Sequence, residues 1–562
     1  MNEPPLRSEL FSAFQMEQYG KKLASTHILS DKQAPDQLLA RLDDNHYIIT
    51  KTCNLLTIAI KARRQITPAS EWLIDNLYLI EEHSHIAEKY LPKDYSRGLP
   101  CLEKDDNICP PRIYDIALEI ISHGDAHIDL ESLKLFVTAY QKISPLTLGE
   151  LWAIPIMLRL ALLENLRRVA AHILINRQNR DMADFWADKM MATADTDPSS
   201  LILIIADMAR SNPPMEGSFV AELARRLQGQ GPALALPLTW IEQRLADIGL
   251  TIEQLVHSEN QRQAANQVSM SNSVGSLRFL NDTDWRKFVE ALSHVEQLLY
   301  TDPAKFYSKM DFATRDLYRH SIERIAKYSN SEETTVTHKV LELAQKNAGD
   351  PRKGHVGFYL MDEGLSQLED AMQVHLPLRE CLQRFMTRQP LRIYLGSVGL
   401  LTVGIATPLI LKASADDIND GLFTLILFLS VIGASHLAIA LVNWLATVLA
   451  KPSPLSRLDF SKGISAEART LVVVPTLITS IKGIDTLCEM LEIRFLANRD
   501  PHLHFCLLTD FTDAKTQDCP DDALFLAHAE QEITALNIKY NNGPESIFFL
   551  LHRPRLWNPV DG

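Results

Sequence analysis

The sequence predicts three parts: a long cytoplasmic all-α domain, a two-helix transmembrane hairpin and a partial α/β unit. Residues 391–411 and 421–450 are long apolar stretches, the first with one charge, Arg392, and the second with none. After them, apolar β-branched runs alternate with helical patterns, which is typical of a parallel sheet with crossover helices. The predicted boundaries are 1–385, 386–452 and 453–562, with the spans at about 391–411 and 422–450.

Length, charge and cysteine usage limit the classes of protein. The chain has 562 residues, enough for several domains. Its formal net charge of −14 argues against a nucleic-acid partner, which usually meets a basic surface. The first fifteen residues are charged and lack an apolar core, so we expect no signal peptide and a cytoplasmic N-terminus. The seven cysteines are scattered without a CxxC pair, which predicts reduced thiols and no zinc site.

Residues 1–385 read as successive amphipathic helices, such as 38–60 and 68–89, with apolar residues at helical spacing. Thr147 and Glu150 have the spacing of a capping box, so a helix is expected to begin there, and Pro155 is expected to kink it. Residues 151–163 are apolar but too short for a span, and we interpret them as a buried core helix. The polar segment 258–276 is predicted to be a surface loop or an internal boundary.

The two apolar stretches each exceed the roughly 18 residues that mark a transmembrane helix. Cationic residues flank the hairpin on both outer sides: Arg379, Arg384, Arg388 and Arg392 before it, and Lys451, Arg457, Lys462 and Arg469 after it. The connecting loop instead carries Lys412 with Asp416, Asp417 and Asp420. Because Lys and Arg are retained on the cytoplasmic side, both flanks and both termini are expected in the cytoplasm.

Polar residues inside the second stretch have two interpretations. His436 and Asn443 could line a pathway, since polar groups are costly inside a bilayer. They could instead form hydrogen bonds between the two helices, and we favour this second interpretation. Tyr394 and Trp444 lie near the span ends, where aromatic rings are typical of the membrane interface.

The last part predicts strands at 469–477, 503–509 and 547–552, with helices at 484–497 and 523–537. In such sheets ligands bind beyond the carboxyl ends of the strands. This places Pro475 and Thr476 at the end of the first strand, and Asp510 and Asp513 after the second, at one predicted binding site. A carboxylate there can accept hydrogen bonds from a base or a ribose. Neither GxGxxG nor GxxxxGK[ST] occurs, so the two common phosphate-loop interpretations fail.

Other clusters are interpreted without metal chemistry, and no metal ligand is assigned. The Asp-Thr-Asp triplets at 195–197 and 282–284 precede predicted helices, where Asp commonly caps the first turn. His502 and His504 point to one face of a strand, but a third ligand is not evident, so packing is favoured.

Taken in order, several stretches resemble one family. They are EWLIDNLYLIEEH (71–83), RIYDIALEIISHGD (112–125), PLTLGELWAIPIMLRLALLENLRRVA (145–170), DPAKFYSKMDFATRDLYRHSIERIA (302–326), HVGFYLMDEG (355–364), VVVPTL (472–477), IRFLANRDPHLHFCLLTDFTDA (493–514) and FFLLHRPRLWNP (548–559). The chain resembles the N-terminal portion of the cyclic β-1,2-glucan synthases, bacterial inner-membrane enzymes of the glycosyltransferase family 84 type. The resemblance spans nearly the whole chain.

The resemblance implies a GT-A, Rossmann-like transferase unit that uses UDP-glucose, with Mg²⁺ or Mn²⁺ held by a DxD motif and a QxxRW motif near the acceptor. It implies that Pro475, Thr476, Asp510 and Asp513 lie on the uridine side of a nucleotide-sugar site. Residues 469–562 contain neither motif, so the resemblance ends before the DxD motif and no catalytic residue is assigned. We therefore expect a fragment that is inactive alone, binds UDP-glucose weakly or not at all, and lacks a C-terminal part of the enzyme.

A second hypothesis is not enzymatic. The chain could be a membrane-anchored remnant or interaction module, with the helical domain docking a partner. It could also be one part of a split enzyme whose other part is encoded separately. Under every hypothesis the lipid bilayer is an expected partner.

Overall fold

The computed structural model describes residues 3–30, 37–92, 95–103, 109–377, 380–381, 384, 389–415, 419–449, 455–540 and 546–556. The chain divides into two compact units. The first consists of Met1–Thr301, Ser321–Lys346 and Glu363–Val374, and the second of Asp302–His320, Asn347–Asp362 and His375–Gly562. The predicted domain boundaries, 1–385, 386–452 and 453–562, stay a prediction.

Most of the described chain is helical. The helices are α1 (Ala13–Thr26), α2 (Leu38–Lys61), α3 (Pro68–Asp75), α4 (Leu77–Tyr90), α5 (Arg112–His123), α6 (Leu130–Gln141), α7 (Leu148–Thr196), α8 (Leu201–Arg210), α9 (Gly217–Leu227), α10 (Ala235–Ala246), α11 (Ile252–Asp282), α12 (Trp285–Leu292), α13 (His294–Leu299), α14 (Phe312–Ser329), α15 (Glu333–Lys346), α16 (Val356–Met361), α17 (Leu365–Ala371), α18 (Pro390–Ala415), α19 (Asp420–Leu449), α20 (Ile481–Ala497) and α21 (Asp522–Tyr540). The strands are β1 (Leu29–Ser30), β2 (Cys101–Leu102), β3 (Thr470–Ile478), β4 (Leu503–Phe511) and β5 (Phe548–Arg553).

Helix α7 is central to the first unit, and α2, α4, α5, α9 and α11 pack against it. Thr147 caps it, and Glu150 completes the predicted capping box. Its first turns, including Leu151 and Leu163, are buried in the main apolar core, as a core helix requires. Pro155 lies within this helix, which continues uninterrupted to Thr196.

The prediction of a loop at 258–276 is wrong, because these residues belong to the continuous helix α11. Thr251 and Gln254 form a capping box that starts the helix. The small polar residues face inward: Ser269 and Ser273 are buried and both accept hydrogen bonds from the Asn165 amide, at 3.0 and 3.1 Å. The buried face of this helix is therefore made of hydrogen-bonded polar groups, and it lacks the apolar stripe by which a buried helix is recognised in a sequence.

A buried carboxylate holds α2 and α7 together. Glu164 is fully buried and accepts hydrogen bonds from Arg41, Arg167 and Arg168. Burial opposes ionisation, but the three guanidinium groups outweigh it and hold the pKa of Glu164 well below its usual range. A buried charge with this many partners is compensated rather than destabilising.

The prediction of reduced thiols throughout is wrong for one pair, because Cys101 and Cys109 form a disulfide with a Cα–Cα distance of 5.4 Å. The pairing of Leu29 with Leu102 and a bridge between Cys101 and Pro111 bring the two ends of the segment together. Residues 104–108 lie outside the described residues. The free cysteines are Cys53, Cys381, Cys488, Cys506 and Cys519.

In the second unit, α18 and α19 are the two helices of the described chain that are long and apolar enough to cross a membrane. They pack against each other through small residues, with Ala406, Ala434 and Ala438 buried, which permits close approach of two backbones. The Tyr394 hydroxyl donates to the Asn443 amide oxygen at 3.0 Å. This contact confirms a bond between helices for Asn443, whereas His436 is exposed.

The other predicted determinants of the hairpin are only partly within the described chain. Arg379, Arg388, Asp416, Asp417 and Lys451 lie outside the described residues. The cytoplasmic orientation of both flanks therefore stays a prediction.

The predicted parallel sheet is confirmed, with strand order β3–β4–β5. One face packs on α20 and α21, where Phe505, Leu507 and Phe548 are the buried centre. The opposite face, which we call the open face, carries exposed apolar side chains: Leu471, Val473, Leu477, Leu508, Phe549 and Leu551. The side chains alternate between the two faces along each strand, as the pleat requires.

Candidate functional site

The predicted site lies at the carboxyl edge of the sheet, where β3, β4 and β5 end at Ile478, Phe511 and Arg553. Helix α20 begins there, and the Ser480 hydroxyl caps it by accepting from the backbone N–H of Gly483 at 3.1 Å. The strands end together because they are parallel and in register. This edge therefore collects a helix N-terminus and the residues that follow two strands.

The structure places Pro475 and Thr476 inside β3, since that strand continues to Ile478. Both residues lie near the carboxyl end of the strand. Pro475 is exposed on the open face, and Thr476 is half-buried on the helix-covered face. The two side chains leave opposite faces of the sheet, so they do not line one surface.

Thr476 belongs to a polar row across the sheet, in register with Thr509 and His552. Thr509 is buried, and its hydroxyl lies 2.9 Å from His552 Nδ1. The His552 ring also contacts Phe511, with ring centroids 4.3 Å apart. This row closes the apolar core beneath the carboxyl edge.

Asp510 is the penultimate residue of β4 and lies opposite Arg553, and the two side chains form a bidentate ion pair with N–O distances of 3.0 and 2.5 Å. The carboxylate that the sequence assigns to a nucleotide is therefore engaged by a guanidinium group. Asp513, three residues later, is exposed and makes no ion pair with the part of the chain that the structure describes. Asp513 is the predicted site residue whose carboxylate remains accessible.

Arg553 and Arg555 are residues that sequence reasoning did not assign to the site. Arg555 donates to the Thr512 carbonyl at 2.9 Å and to Asp522 at 2.7 Å, and it lies over the Phe511 ring. Its guanidinium group lowers the pKa of the Asp522 carboxyl. The strand-end argument that selected Asp510 also applies to the HRPR sequence at 552–555, and it would have found both arginines.

These groups at the edge suit a phosphorylated ligand better than a metal. The N-terminus of α20 favours phosphate oxygens, whereas the guanidinium groups of Arg553 and Arg555 are already paired with Asp510 and Asp522. A divalent cation would need free carboxylates, but Asp510 is committed to Arg553. The residues of the carboxyl edge therefore do not fit the Mg²⁺ or Mn²⁺ site of a DxD-type enzyme.

Two other interpretations from sequence are tested by the structure. Asp197 and Asp284 accept hydrogen bonds from Ser199 N and Lys287 N, so the helix-capping interpretation of the Asp-Thr-Asp triplets is confirmed for both. His504 is buried, with Nδ1 3.2 Å from the Ser546 carbonyl oxygen, which agrees with packing. A groove of ≈ 570 Å³ lies beside His504 on the open face, and Leu471 and Phe549 line it. These residues belong to the opposite end of the strands from the carboxyl edge.

No family model matches the chain. A comparison with curated proteins finds cyclic beta-(1,2)-glucan synthase NdvB of Rhizobium meliloti (strain 1021), 31% identical over 534 residues. The similarity covers 94% of the chain. The chain belongs to the cyclic β-glucan synthase family.

The match to this cyclic β-glucan synthase spans about a fifth of the relative's length, 19%. Only 6% of the chain lies outside the match, which is fewer residues than the α/β part, 453–562, contains. The match therefore cannot leave out the whole of the α/β part. Similarity to the synthase therefore extends into both compact units, and it includes part of the sheet with the candidate site.

Proposed function

We propose that this chain is a membrane-bound part of a UDP-glucose-dependent glycosyltransferase that acts in cyclic β-1,2-glucan synthesis. The observation that carries the proposal is the similarity to a cyclic beta-(1,2)-glucan synthase along 94% of the chain. The α/β part would be the beginning of a GT-A unit, consistent with its parallel strands and crossover helices. Helices α18 and α19 would hold this unit at the bacterial inner membrane, with both flanks in the cytoplasm.

The carboxyl edge of the sheet would bind the nucleotide sugar. Asp513 supports this role because its carboxylate is exposed and can accept hydrogen bonds from uridine or ribose. The resemblance also implies that Pro475, Thr476 and Asp510 lie on the uridine side. Of these, Asp510 would act through its ion pair with Arg553 rather than by direct contact. The N-terminus of α20 adds partial positive charge for the diphosphate.

The chemistry of transfer would need groups that residues 469–562 do not supply. The DxD and QxxRW motifs are not in this range, and the edge residues do not fit a divalent cation. We propose that the chain alone has no transferase activity and that a complete enzyme requires a further C-terminal part, with Mg²⁺ or Mn²⁺ bound there.

Binding of UDP-glucose to the purified full chain in detergent tests the site. We expect weak, saturable binding that Asp513→Asn weakens several-fold, because the amide cannot accept as a carboxylate does. Asp518→Asn is the matched control, since Asp518 is exposed on the same loop. Equal affinity for the two variants would overturn the assignment of Asp513, and absence of saturation at millimolar UDP-glucose would overturn the site.

Incorporation of labelled glucose tests the second statement. The chain alone should transfer no glucose from UDP-glucose to glucan, whereas incorporation above a boiled control would contradict the proposed inactivity. Activity that appears only with a separately expressed C-terminal part would support a divided enzyme. If the chain shows neither UDP-glucose binding nor complementation by the C-terminal part, a non-enzymatic anchor or interaction module is favoured.

A further inference from the structure

A group of three metal-ligating side chains lies between helices α20 and α21. The group consists of Asp485, His528 and Glu532, and each residue offers a ligand atom within 4.8 Å of the other two. It is the one such group of three that the described residues contain. Each residue is partly buried, so the group lies at the helix–helix seam rather than on fully solvated surface.

The sequence and the packing bring these residues together. His528 and Glu532 are four residues apart on α21, so they share one face of that helix. Helix α20 packs against α21 and contributes Asp485 from its second turn. His528 Nε2 lies 2.7 Å from the Asp485 carboxylate, which fixes the ring between the helices.

The surrounding packing makes the seam rigid. Ala529 and Ile533, which follow His528 and Glu532 by one residue, are buried in the core of the α/β part. Cys488 lies three residues after Asp485 on α20 and is almost fully buried, at 3% exposure. Burial and the nearby Glu532 and Asp485 carboxylates raise the pKa of this thiol to about 12. Two carboxylates and one imidazole therefore meet at the seam.

The donor set indicates which ion would fit. Zn²⁺ accepts both imidazole nitrogen and carboxylate oxygen as ligands, so these three side chains with one water would complete a four-coordinate site. Mg²⁺ and Ca²⁺ prefer oxygen ligands alone, so the imidazole disfavours both. The alternative is a simple hydrogen-bonded Asp485–His528 pair, beside which Glu532 places a third ligand atom within 4.8 Å of the other two.

We propose that Asp485, His528 and Glu532 bind a divalent transition-metal ion, with Zn²⁺ favoured, and that this ion fastens α20 to α21. The proposed role is structural, and none of the three residues is among those assigned to the nucleotide-sugar edge. Because the ion would bind the folded α/β part and not the unfolded chain, it would stabilise this part in proportion to its occupancy.

Zinc binding to the full chain in detergent tests the proposal. The chain is first treated with a chelator and dialysed, and Zn²⁺ is then measured by equilibrium dialysis and by elemental analysis. We expect one Zn²⁺ per chain and a rise in melting temperature on its addition. Glu532→Gln should lower the affinity by about tenfold or more, as loss of a ligand does.

The choice of Glu532→Gln keeps the Asp485–His528 contact intact, so its zinc-free melting temperature should equal that of the unmodified chain. This equality separates loss of a ligand from failure to fold. Glu530→Gln is the matched control, because Glu530 is exposed on the same helix and outside the group. The same Zn²⁺ affinity in Glu532→Gln and in Glu530→Gln would overturn the proposal, as would the absence of stoichiometric binding to the unmodified chain.

Discussion

Arg112 and Glu150 form a fully buried, bidentate ion pair that joins the N-termini of α5 and α7. Arg112 Nε and Nη2 donate to the two Glu150 oxygens at 2.7 and 2.5 Å, and the residues are 1% and 0% exposed. The same carboxylate accepts from the backbone N–H of Thr147 at 2.9 Å and completes the capping box of α7. One side chain thus caps a helix and neutralises a buried cation.

Glu150→Gln should destabilise the first unit by about 3–5 kcal/mol, because it leaves the Arg112 charge buried without a counter-charge. Urea unfolding of the full chain in detergent, followed by tryptophan fluorescence, measures the change. Glu222→Gln serves as the control, since its partner Arg225 is largely exposed, and it should cost at most about 1 kcal/mol. Similar losses in the two variants would contradict the importance of the buried pair.

Glu333 predicts a specific pH dependence of stability. Its carboxyl group accepts from the backbone N–H of Leu148 at 2.9 Å, but burial raises its pKa to about 7, with repulsion from Glu323 and Glu150 adding to the effect. The folded state therefore binds this proton more tightly than the unfolded state, whose pKa is near 4.5. Stability from this group is full below pH 4.5 and falls as the pH rises to about 7.

Glu333→Gln removes this dependence. The free energy of unfolding of the variant, minus that of the unmodified chain, should be larger at pH 8 than at pH 5 by up to about 3 kcal/mol. Melting temperatures at the two pH values provide the measurement. Glu332→Gln, at the exposed neighbouring position, is the control for unspecific effects of the substitution. A variant that loses stability relative to the unmodified chain as the pH rises would show that the sign is wrong.

The packing of α18 on α19 predicts that a larger side chain destabilises the hairpin at some positions and not at others. Ala438 is fully buried between α18 and α19, so Ala438→Leu should separate the helices and lower the thermal stability of the hairpin. Ala440→Leu adds the same volume on the exposed side and should change little. Helicity during titration with a denaturing detergent distinguishes the variants. Equal sensitivity at both positions would contradict this helix–helix contact.

Gly357 in α16 is a position where a side chain does not fit. A Cβ atom there would lie 2.2 Å from the Tyr318 hydroxyl and 2.8 Å from His355 Nε2. His355 is itself held by Asp302, with Nδ1 3.0 Å from the carboxylate, and Tyr318 is buried, so both neighbours resist displacement. Gly357→Ala should therefore cost about 1–3 kcal/mol.

The matched control for Gly357→Ala is Gly275→Ala in α11, where a Cβ would meet nothing within 4 Å. This second substitution should stabilise the chain by about 0.4–1 kcal/mol, because it reduces the freedom of the unfolded state. Thermal unfolding of both variants is the measurement. Changes of the same sign would refute the packing argument at Gly357.

Much of the secondary structure follows from local patterns. The capping box at Thr147 and Glu150 predicts the start of α7, and the β-branched runs predict β3, β4 and β5 within a few residues. The failures occur where packing decides. Ser269 and Ser273 suggest a loop by composition, yet a distant amide, Asn165, satisfies them inside a helix. Such a contact has no signature in the local sequence.

The candidate site shows the same division. Strand periodicity is sufficient to place Asp510 at the end of β4, but not to show that Arg553 takes up its carboxylate. That pairing depends on the register of β4 and β5, which brings together two residues that are 43 positions apart along the chain. The cluster of Asp485, His528 and Glu532 was missed for the same reason, because its members meet only when α20 packs on α21.

The sequence by itself determined the order of the parts, the two apolar helices and the parallel α/β pattern, because each depends on composition and spacing within one segment. Family membership also follows from the sequence, through similarity along 94% of the chain. Only the tertiary structure decided which carboxylates are paired, which polar residues are buried and where ligand atoms converge. These properties depend on distances between residues far apart in the chain, and the free energy of packing, rather than local propensity, sets those distances.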